Sequence, residues 1–185
     1  MTQPARRNSL GTLLALFGLF FLPLLAAFYL YYVGGWRPAA ATNHGELLRP
    51  AIALPAVNGL LRERWTLVYV GDGRCDDDCE RALWVMRQTR LSLNNDMARV
   101  ARLFLATSNC CREQFLQREH AGLDVVAADS GDAAGIAARF PVEARGKSIF
   151  LVDPRGNLMM QTNAGDDPKG LLEDLKKLLK LSHIG

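Results

Sequence analysis

The sequence predicts an α/β domain carried behind a single membrane-spanning helix, and three observations lead there. A charge-free apolar run near the N-terminus is long enough to cross a bilayer. Beyond it, short β-branched and aromatic runs alternate with segments of helical spacing. The order closes with a hairpin and one more helix, an ending that a plain doubly wound sheet lacks.

Leu10 to Val33 contains no charged residue. About 20 apolar residues in a helix span the ~30 Å hydrocarbon core, so the run crosses with some tilt. Pro23 in its middle is tolerated in a membrane helix. Tyr29, Tyr31, Tyr32 and Trp36 crowd the far end, where amphipathic rings favour the interface. Arg6 and Arg7 precede the run, and Arg37 alone closely follows it. The positive-inside bias therefore puts the N-terminus in the cytoplasm and the rest in the periplasm. The competing reading is a signal peptide cleaved at Ala39-Ala40-Ala41, although a signal core usually has only about 7–15 apolar residues. Either way the remainder is exported. The expected division is a cytoplasmic tail over 1–9, a transmembrane helix over 10–33, a linker over 34–50 and a thioredoxin-like domain over 51–185.

Composition narrows the class. At 49% hydrophobic and 22% charged residues, the chain can build a core without disulfide staples. Its formal charge of +3 is scattered and forms no basic stripe, which argues against nucleic acid. All four cysteines, Cys75, Cys79, Cys110 and Cys111, lie in the exported part. In an oxidising compartment they can be disulfides, redox dithiols or metal ligands.

The elements follow in order. Gly34 to Pro50 is rich in Gly, Pro and small residues and reads as a linker. Trp65 to Val70 is a buried strand, and Cys75 to about Leu93 has helical spacing, with Cys75, Cys79, Leu83, Met86 and Leu93 on one stripe. Arg102 to Thr107 is a second strand. Cys110 to about His120 follows as a helix, capped by Ser108 or Asn109. Leu123 to Ala127 is a third, short strand, and Asp132 to Phe140 an Ala-rich helix closed by Pro141. Ser148 to Val152 is a fourth strand, turned by Asp153-Pro154-Arg155-Gly156 into Asn157 to Thr162. Asp167 then caps a last helix with Pro168 at its first position and an apolar face of Leu171, Leu172, Leu175, Leu178 and Leu179. This order, β-α-β-α-β-α-β-β-α, describes a thioredoxin-like fold with an insertion.

Chemistry concentrates in Gly71-Asp72-Gly73-Arg74-Cys75-Asp76-Asp77-Asp78-Cys79-Glu80, which follows a strand and opens a helix. A helix N-terminus carries about half a positive charge and free N–H groups, which stabilise thiolate, the form that attacks and ligates. Residues four apart in a regular helix have Cβ atoms about 5–6 Å apart, whereas a disulfide wants about 3.5–4.5 Å. A disulfide here therefore needs a distorted first turn, while two thiolates around a soft ion such as Cu(I) fit the wider spacing. The three aspartates pull against the dipole and disfavour the dithiolate. That speaks against a strong oxidase, whose reduced form must be stabilised. A static structural disulfide is the bland alternative. A peroxidase is disfavoured, because Asp72 stands where its Thr or Ser would.

At these residues the chain resembles the Sco/SenC family, membrane-anchored thioredoxin-like proteins that serve copper-site assembly in cytochrome c oxidase. The anchor, the strand, the CxxxC-opened helix and the late stretch Phe150-Leu151-Val152-Asp153-Pro154-Arg155-Gly156-Asn157 carry the likeness. Asn43-His44-Gly45-Glu46-Leu47-Leu48 is similar to a stretch before the domain in divergent bacterial relatives. The resemblance implies Cys75 and Cys79 as copper ligands or redox pair, and an oxidase subunit or assembly factor as partner. Two departures stand out. The family's third copper ligand is a histidine, and the corresponding position here is Arg145, within Glu143-Ala144-Arg145-Gly146. Ser108-Asn109-Cys110-Cys111 replaces a segment that is usually acidic and Pro-containing. Strand C-termini share one edge of an open sheet, so Cys110 and Cys111 are expected near Cys75 and Cys79, either as added metal ligands, as a buried thiol or as a vicinal disulfide.

His44, His120 and His183 read as solvated, and Met159-Met160 as core rather than copper thioethers. Three functions compete: a tethered assembly factor for a respiratory oxidase, a general envelope thiol-disulfide reductase, and a non-catalytic partner-binding domain. If enzymatic, the protein is a thiol-disulfide oxidoreductase.

Overall fold

The computed structural model describes residues 9–34, 43–55, 60–61, 63–165 and 167–182. Arg6, Arg7, Trp36, Arg37, Ala39 to Ala41 and His183, which carried the orientation, cleavage and C-terminal expectations, lie outside the described residues. The chain divides into two units, 1–41 and 42–185.

The first unit holds α1, Ser9–Tyr32, with Pro23 inside it. Its apolar length suffices for a membrane span. At 1.5 Å per residue the helix extends about 36 Å. Leu13, Phe17 and Leu24 along it are all exposed, which suits a helix in contact with lipid.

The second unit is a six-stranded sheet in the order β1-β6-β5-β2-β3-β4. Its strands are β1 (Glu46–Ala53), β2 (Trp65–Asp72), β3 (Val100–Ser108), β4 (Asp124–Ala127), β5 (Ser148–Val152) and β6 (Asn157–Asn163). β2, β3 and β4 run parallel, while β5, β6 and β1 add antiparallel. The helices are α2 (Asp77–Leu91), α3 (Glu113–Glu119), α4 (Gly131–Ala137) and α5 (Pro168–Leu181). This is the thioredoxin-like α/β architecture that the sequence predicts.

β2 is central and buried on both faces, and its alternation sorts the core into two layers. Leu67 and Tyr69 join Leu83 and Met86 of α2 and Leu171, Leu175 and Leu179 of α5. Val68 and Val70 face the other way, with Leu103, Leu105, Phe150 and Ile136 and Ala137 of α4. At the hairpin, Asp153 Oδ1 accepts from the backbone N–H groups of Arg155 and Asn157 at 2.9 and 2.8 Å, and Gly156 takes the left-handed conformation at φ 84°. Asp167 caps α5 through Gly170 N–H at 2.8 Å, as its position before Pro168 predicts.

Three expectations need correction. Residues 46–50, assigned to the linker, belong to β1, an edge strand whose pairing with β6 is interrupted between Leu47 and Ile52. Pro50 sits inside that interruption, where a missing N–H costs no ladder bond. α2 starts at Asp77, leaving Cys75 ahead of the helix rather than on its stripe. α3 starts at Glu113, with no side-chain cap from Ser108 or Asn109, because Asn109 adopts φ 48° and turns the chain away. His44 is exposed, as read, and lies between surface carboxylates: Nδ1 is 3.1 Å from Asp167 and Nε2 3.1 Å from Glu173, and its backbone N–H donates to Asp174.

Phe150 is fully buried and meets Phe140 edge-on at 4.9 Å between ring centres. Phe150→Ala is expected to destabilise the 42–185 unit by about 3–5 kcal/mol, read as a lower urea midpoint with unchanged slope.

Candidate functional site

β2 and β3 are parallel neighbours, so their C-terminal ends open on the same edge of the sheet. Cys75 and Cys79 follow the first end, and Cys110 and Cys111 the second. Cys75 adopts φ 52°, which swings the chain from β2 into α2 and brings its Cα within 5.0 Å of that of Cys79. The two are joined as a disulfide. The distorted turn that CxxxC needs is thus obtained by delaying the helix: Asp76 is the N-cap, and its Oδ1 accepts from the Cys79 N–H at 3.0 Å. Both cysteines are only 2% exposed, part of the cluster formed with Tyr69, Leu83 and Leu116. They sit at the sheet edge, as expected, but shielded rather than open to solvent.

Cys110 and Cys111 form a second, vicinal disulfide. Cys110 is exposed and Cys111 half-buried against the cluster that holds Cys75 and Cys79. The two cysteine turns touch. A Cβ on Gly73 would lie 2.6 Å from Cys110 Cα and 2.7 Å from the Asn109 carbonyl oxygen, so only glycine fits there. Gly73 N–H donates to the Ser108 carbonyl at 2.7 Å. Arg112 Nη1 reaches the Cys75 carbonyl at 3.2 Å and Glu80 at 2.6 Å. Among the described residues no group of three or more His, Cys, Asp or Glu is gathered as a metal centre.

Asp72 ties the two turns together. Its carboxylate accepts from Arg74 N–H (2.8 Å) and Nε (3.1 Å), Ser108 Oγ (3.0 Å) and Asn109 Nδ2 (2.8 Å). The Arg74 side chain first, then its N–H and the Asn109 and Ser108 side chains, hold this carboxyl well below the usual range. Sequence reasoning used Asp72 only to exclude a peroxidase. The pairing of a strand-ending Asp with Ser-Asn after the next strand was its only signal. Tyr69 Oη donates to the Gly146 carbonyl at 2.9 Å, and burial, aided by Asp76 and Asp78, pushes its phenol up, keeping it a neutral donor. Arg145, next to Gly146, is occupied by the Phe140 carbonyl, to which Nη2 donates at 2.8 Å.

A cleft of about 570 Å³ adjoins the vicinal disulfide, lined by Cys110, Cys111, Glu113, Gln117, His120 and Val125 among others. His120, expected in solvent, is 5% exposed, and its Nδ1 has no hydrogen-bond partner. It is buried because the short α3 folds its end back over β3, where Arg102 lies buried too. Met160 is buried and Met159 packs on the same cluster, as core.

A cystine bridging the strand end and the first turn of the following helix, at the C-terminal edge of a mixed sheet, defines a thioredoxin-like thiol domain behind a membrane-type helix. Residues 65–182 match the family described as transmembrane-like, thioredoxin-like, C-terminal domain, and the chain belongs to that family. Among solved structures, copper-bound yeast Sco1 is similar at 15% identity, with 80% of this chain and 96% of that chain covered and a TM-score of 0.57. Apo Sco1 of Thermus thermophilus is similar at 16% identity, 78% and 100% coverage and a TM-score of 0.53. A SCO1/SenC family lipoprotein of Bacillus anthracis follows at 12%, 72% and 94%, and 0.51. The Sco/SenC resemblance read from the sequence therefore holds for the fold. No curated protein matches the chain.

Two outcomes are expected. Asp72→Ala loses amide-exchange protection at Gly73 and accelerates reduction of Cys75–Cys79, measured by hydrogen exchange and timed alkylation. Burial first, then Arg102 and Arg87, push His120 below its ordinary value of 6.5, against Glu119 and Glu80. The unfolded chain then binds a proton that the native ring refuses, so stability falls as pH drops below about 6.5 towards the native value. Urea midpoints are expected to decline on acidification from about pH 7.5 to about pH 5, and to decline less in His120→Gln.

Proposed function

We propose that the protein is a membrane-anchored Sco-like thiol protein that assists assembly of a respiratory cytochrome c oxidase, acting through Cys75 and Cys79. One observation carries this reading: the Cys75–Cys79 cystine spans the exit of β2 and the first turn of α2. A relative of the same fold belongs to the Sco family of cytochrome c oxidase assembly proteins, and yeast Sco1 and Bradyrhizobium japonicum ScoI hold copper. The domain lies in the periplasm, with the N-terminus in the cytoplasm, supported by Arg6 and Arg7 against Arg37. The bilayer-held helix keeps the thiols near a membrane-bound oxidase subunit and raises their effective concentration.

The chemistry of the donor set suits the cargo. Once reduced, Cys75 and Cys79 offer two soft sulfurs, the ligands Cu(I) prefers. The carboxylates of Asp76, Asp77, Asp78 and Glu80 around the turn favour a bound cation over a bare dithiolate. They equally make the dithiol a willing electron donor, since a reduced form without stabilisation gives up its electrons readily. The work on the oxidase is therefore copper delivery or reduction of copper-site cysteines. Cys110 and Cys111 are candidates for added sulfur ligands, being on the adjacent turn.

A general envelope thiol-disulfide reductase is the second reading, favoured by Arg145, whose guanidinium is spent on a backbone carbonyl where the Sco likeness calls for a copper-binding histidine. Anaerobic titration of the reduced protein with Cu(I) discriminates. Stoichiometric binding lost in Cys75→Ser and Cys79→Ser is the expected result. Turnover of disulfide substrates without copper binding would transfer the site to the second reading, and neither activity would leave a partner-binding domain.

A further inference from the structure

The cystine that the proposed chemistry needs is 2% exposed, yet on the neighbouring turn lies a cystine whose first member, Cys110, is exposed. We propose that Cys110–Cys111 is the entry point for electrons, exchanging with an external dithiol at the surface and passing its reducing equivalents to Cys75–Cys79. The inference rests on the reading of Cys75 and Cys79 as a cycling pair and names how that pair is reached.

The contacts support direct transfer. Cys110 backbone packs on Gly73, two residues before Cys75, closely enough to exclude a Cβ. Cys111 packs on the cluster that contains both Cys75 and Cys79. Arg112, the next residue, holds the Cys75 carbonyl. Access differs as sharply as proximity agrees: Cys110 and Cys111 line the cleft of about 570 Å³, which admits an extended thiol-bearing segment or a small dithiol. His120 lines the same cleft from a buried position.

The exchange balances. A thiolate of the incoming dithiol attacks Cys110–Cys111, breaking its S–S bond and forming a mixed disulfide. The second incoming thiol resolves that bond, leaving as an oxidised product and Cys110 and Cys111 as thiols. The Cys111 thiolate then attacks Cys75 Sγ; the Cys75–Cys79 bond breaks, and Cys79 leaves as a thiolate that takes up the proton Cys111 gave. Finally the Cys110 thiolate attacks Cys111 Sγ, the Cys75–Cys111 bond breaks, and Cys75 takes the Cys110 proton. Two electrons and two protons have moved inward.

The test uses the oxidised full chain in detergent micelles, reduced anaerobically with dithiothreitol, quenched by alkylation and mapped by mass spectrometry. Cys110 and Cys111 are expected to label before Cys75 and Cys79. In Cys110→Ser/Cys111→Ser, opening of Cys75–Cys79 is expected to slow at least about ten-fold, equivalent to about 1.4 kcal/mol in barrier. The variant Cys79→Ser/Cys110→Ser, which keeps only Cys75 and Cys111, is treated separately with oxidised glutathione, which accepts the two electrons, and is expected to form a disulfide between them. Equal opening rates, earlier labelling of Cys75 and Cys79 in the unmodified chain, or no trapped bridge would each overturn the relay. The outcomes stay separate from those of the functional reading: a failed relay leaves Cu(I) binding by Cys75 and Cys79 intact, whereas a failed copper reading leaves the order of labelling unchanged.

Discussion

Two parallel strands end side by side, and the carboxylate of Asp72 keeps them that way. The β2–β3 ladder runs in register from Trp65 opposite Val100 to Gly71 opposite Ala106, then slips so that Asp72 faces Ser108. At that slip the regular pairing ends on the Gly73 N–H bond to the Ser108 carbonyl, and side-chain bonds add to it. Arg74 from one turn and Ser108 and Asn109 from the other converge on one charged acceptor. Hydrogen bonds to an ionised group are roughly twice as strong as neutral ones. Each cysteine turn is thereby referred to the same fixed point, and the closeness of Gly73 to Cys110 follows.

The first turn of α2 resolves a competition. Its N-terminal field can be spent on carboxylates or on thiolates, and here the carboxylates come first. Asp76 takes the Cys79 N–H as cap, and Asp77, Asp78 and Glu80 sit where the dipole favours negative charge. Such placements contribute about 0.3–1 kcal/mol each to the helix. The helix start becomes firm, which fixes Cys79, while the sulfurs receive little of the field that would stabilise them as a dithiolate. A site built this way gains from a proton or a cation and has little tendency to remain as a bare pair of thiolates.

Much of the fold was readable because its signals were local. β5 is five consecutive apolar or small residues bounded by a turn whose Asp, Pro and Gly each have a geometric task, and its limits, Ser148 and Val152, match the reading. α5 announces itself by Asp167, Pro168 and a leucine stripe. β1 was hidden because it is an edge strand: one side pairs with β6, the other faces solvent, so neither alternation nor a continuous apolar run marks it, and Pro50 mimics a linker. In the site, the cysteines and their shared edge were legible from strand order. Their burial was not, since it comes from Leu116 of α3 and Leu83 of α2 closing over them. His120 was misread for the same reason: its surroundings are supplied by β3, distant in sequence.

The backbone at the two cysteine turns bears on why access and chemistry are divided. Cys75 at φ 52° and Asn109 at φ 48° both occupy the left-handed region. Asparagine tolerates it, but a cysteine there costs on the order of 1–3 kcal/mol that the surroundings must offset. Asp72, the Gly73–Ser108 bond and the Arg112 contact are those surroundings, and all of them cross between the turns. Opening the β2–α2 turn far enough to expose Cys75 would break these bonds together, which is unfavourable for every encounter with a client. Exposing Cys110 breaks none of them. Thiol chemistry at this edge is therefore least costly when the reactive partner of Cys75 is already inside the network, on the adjoining turn, and the solvent-facing pair alone meets what arrives from outside.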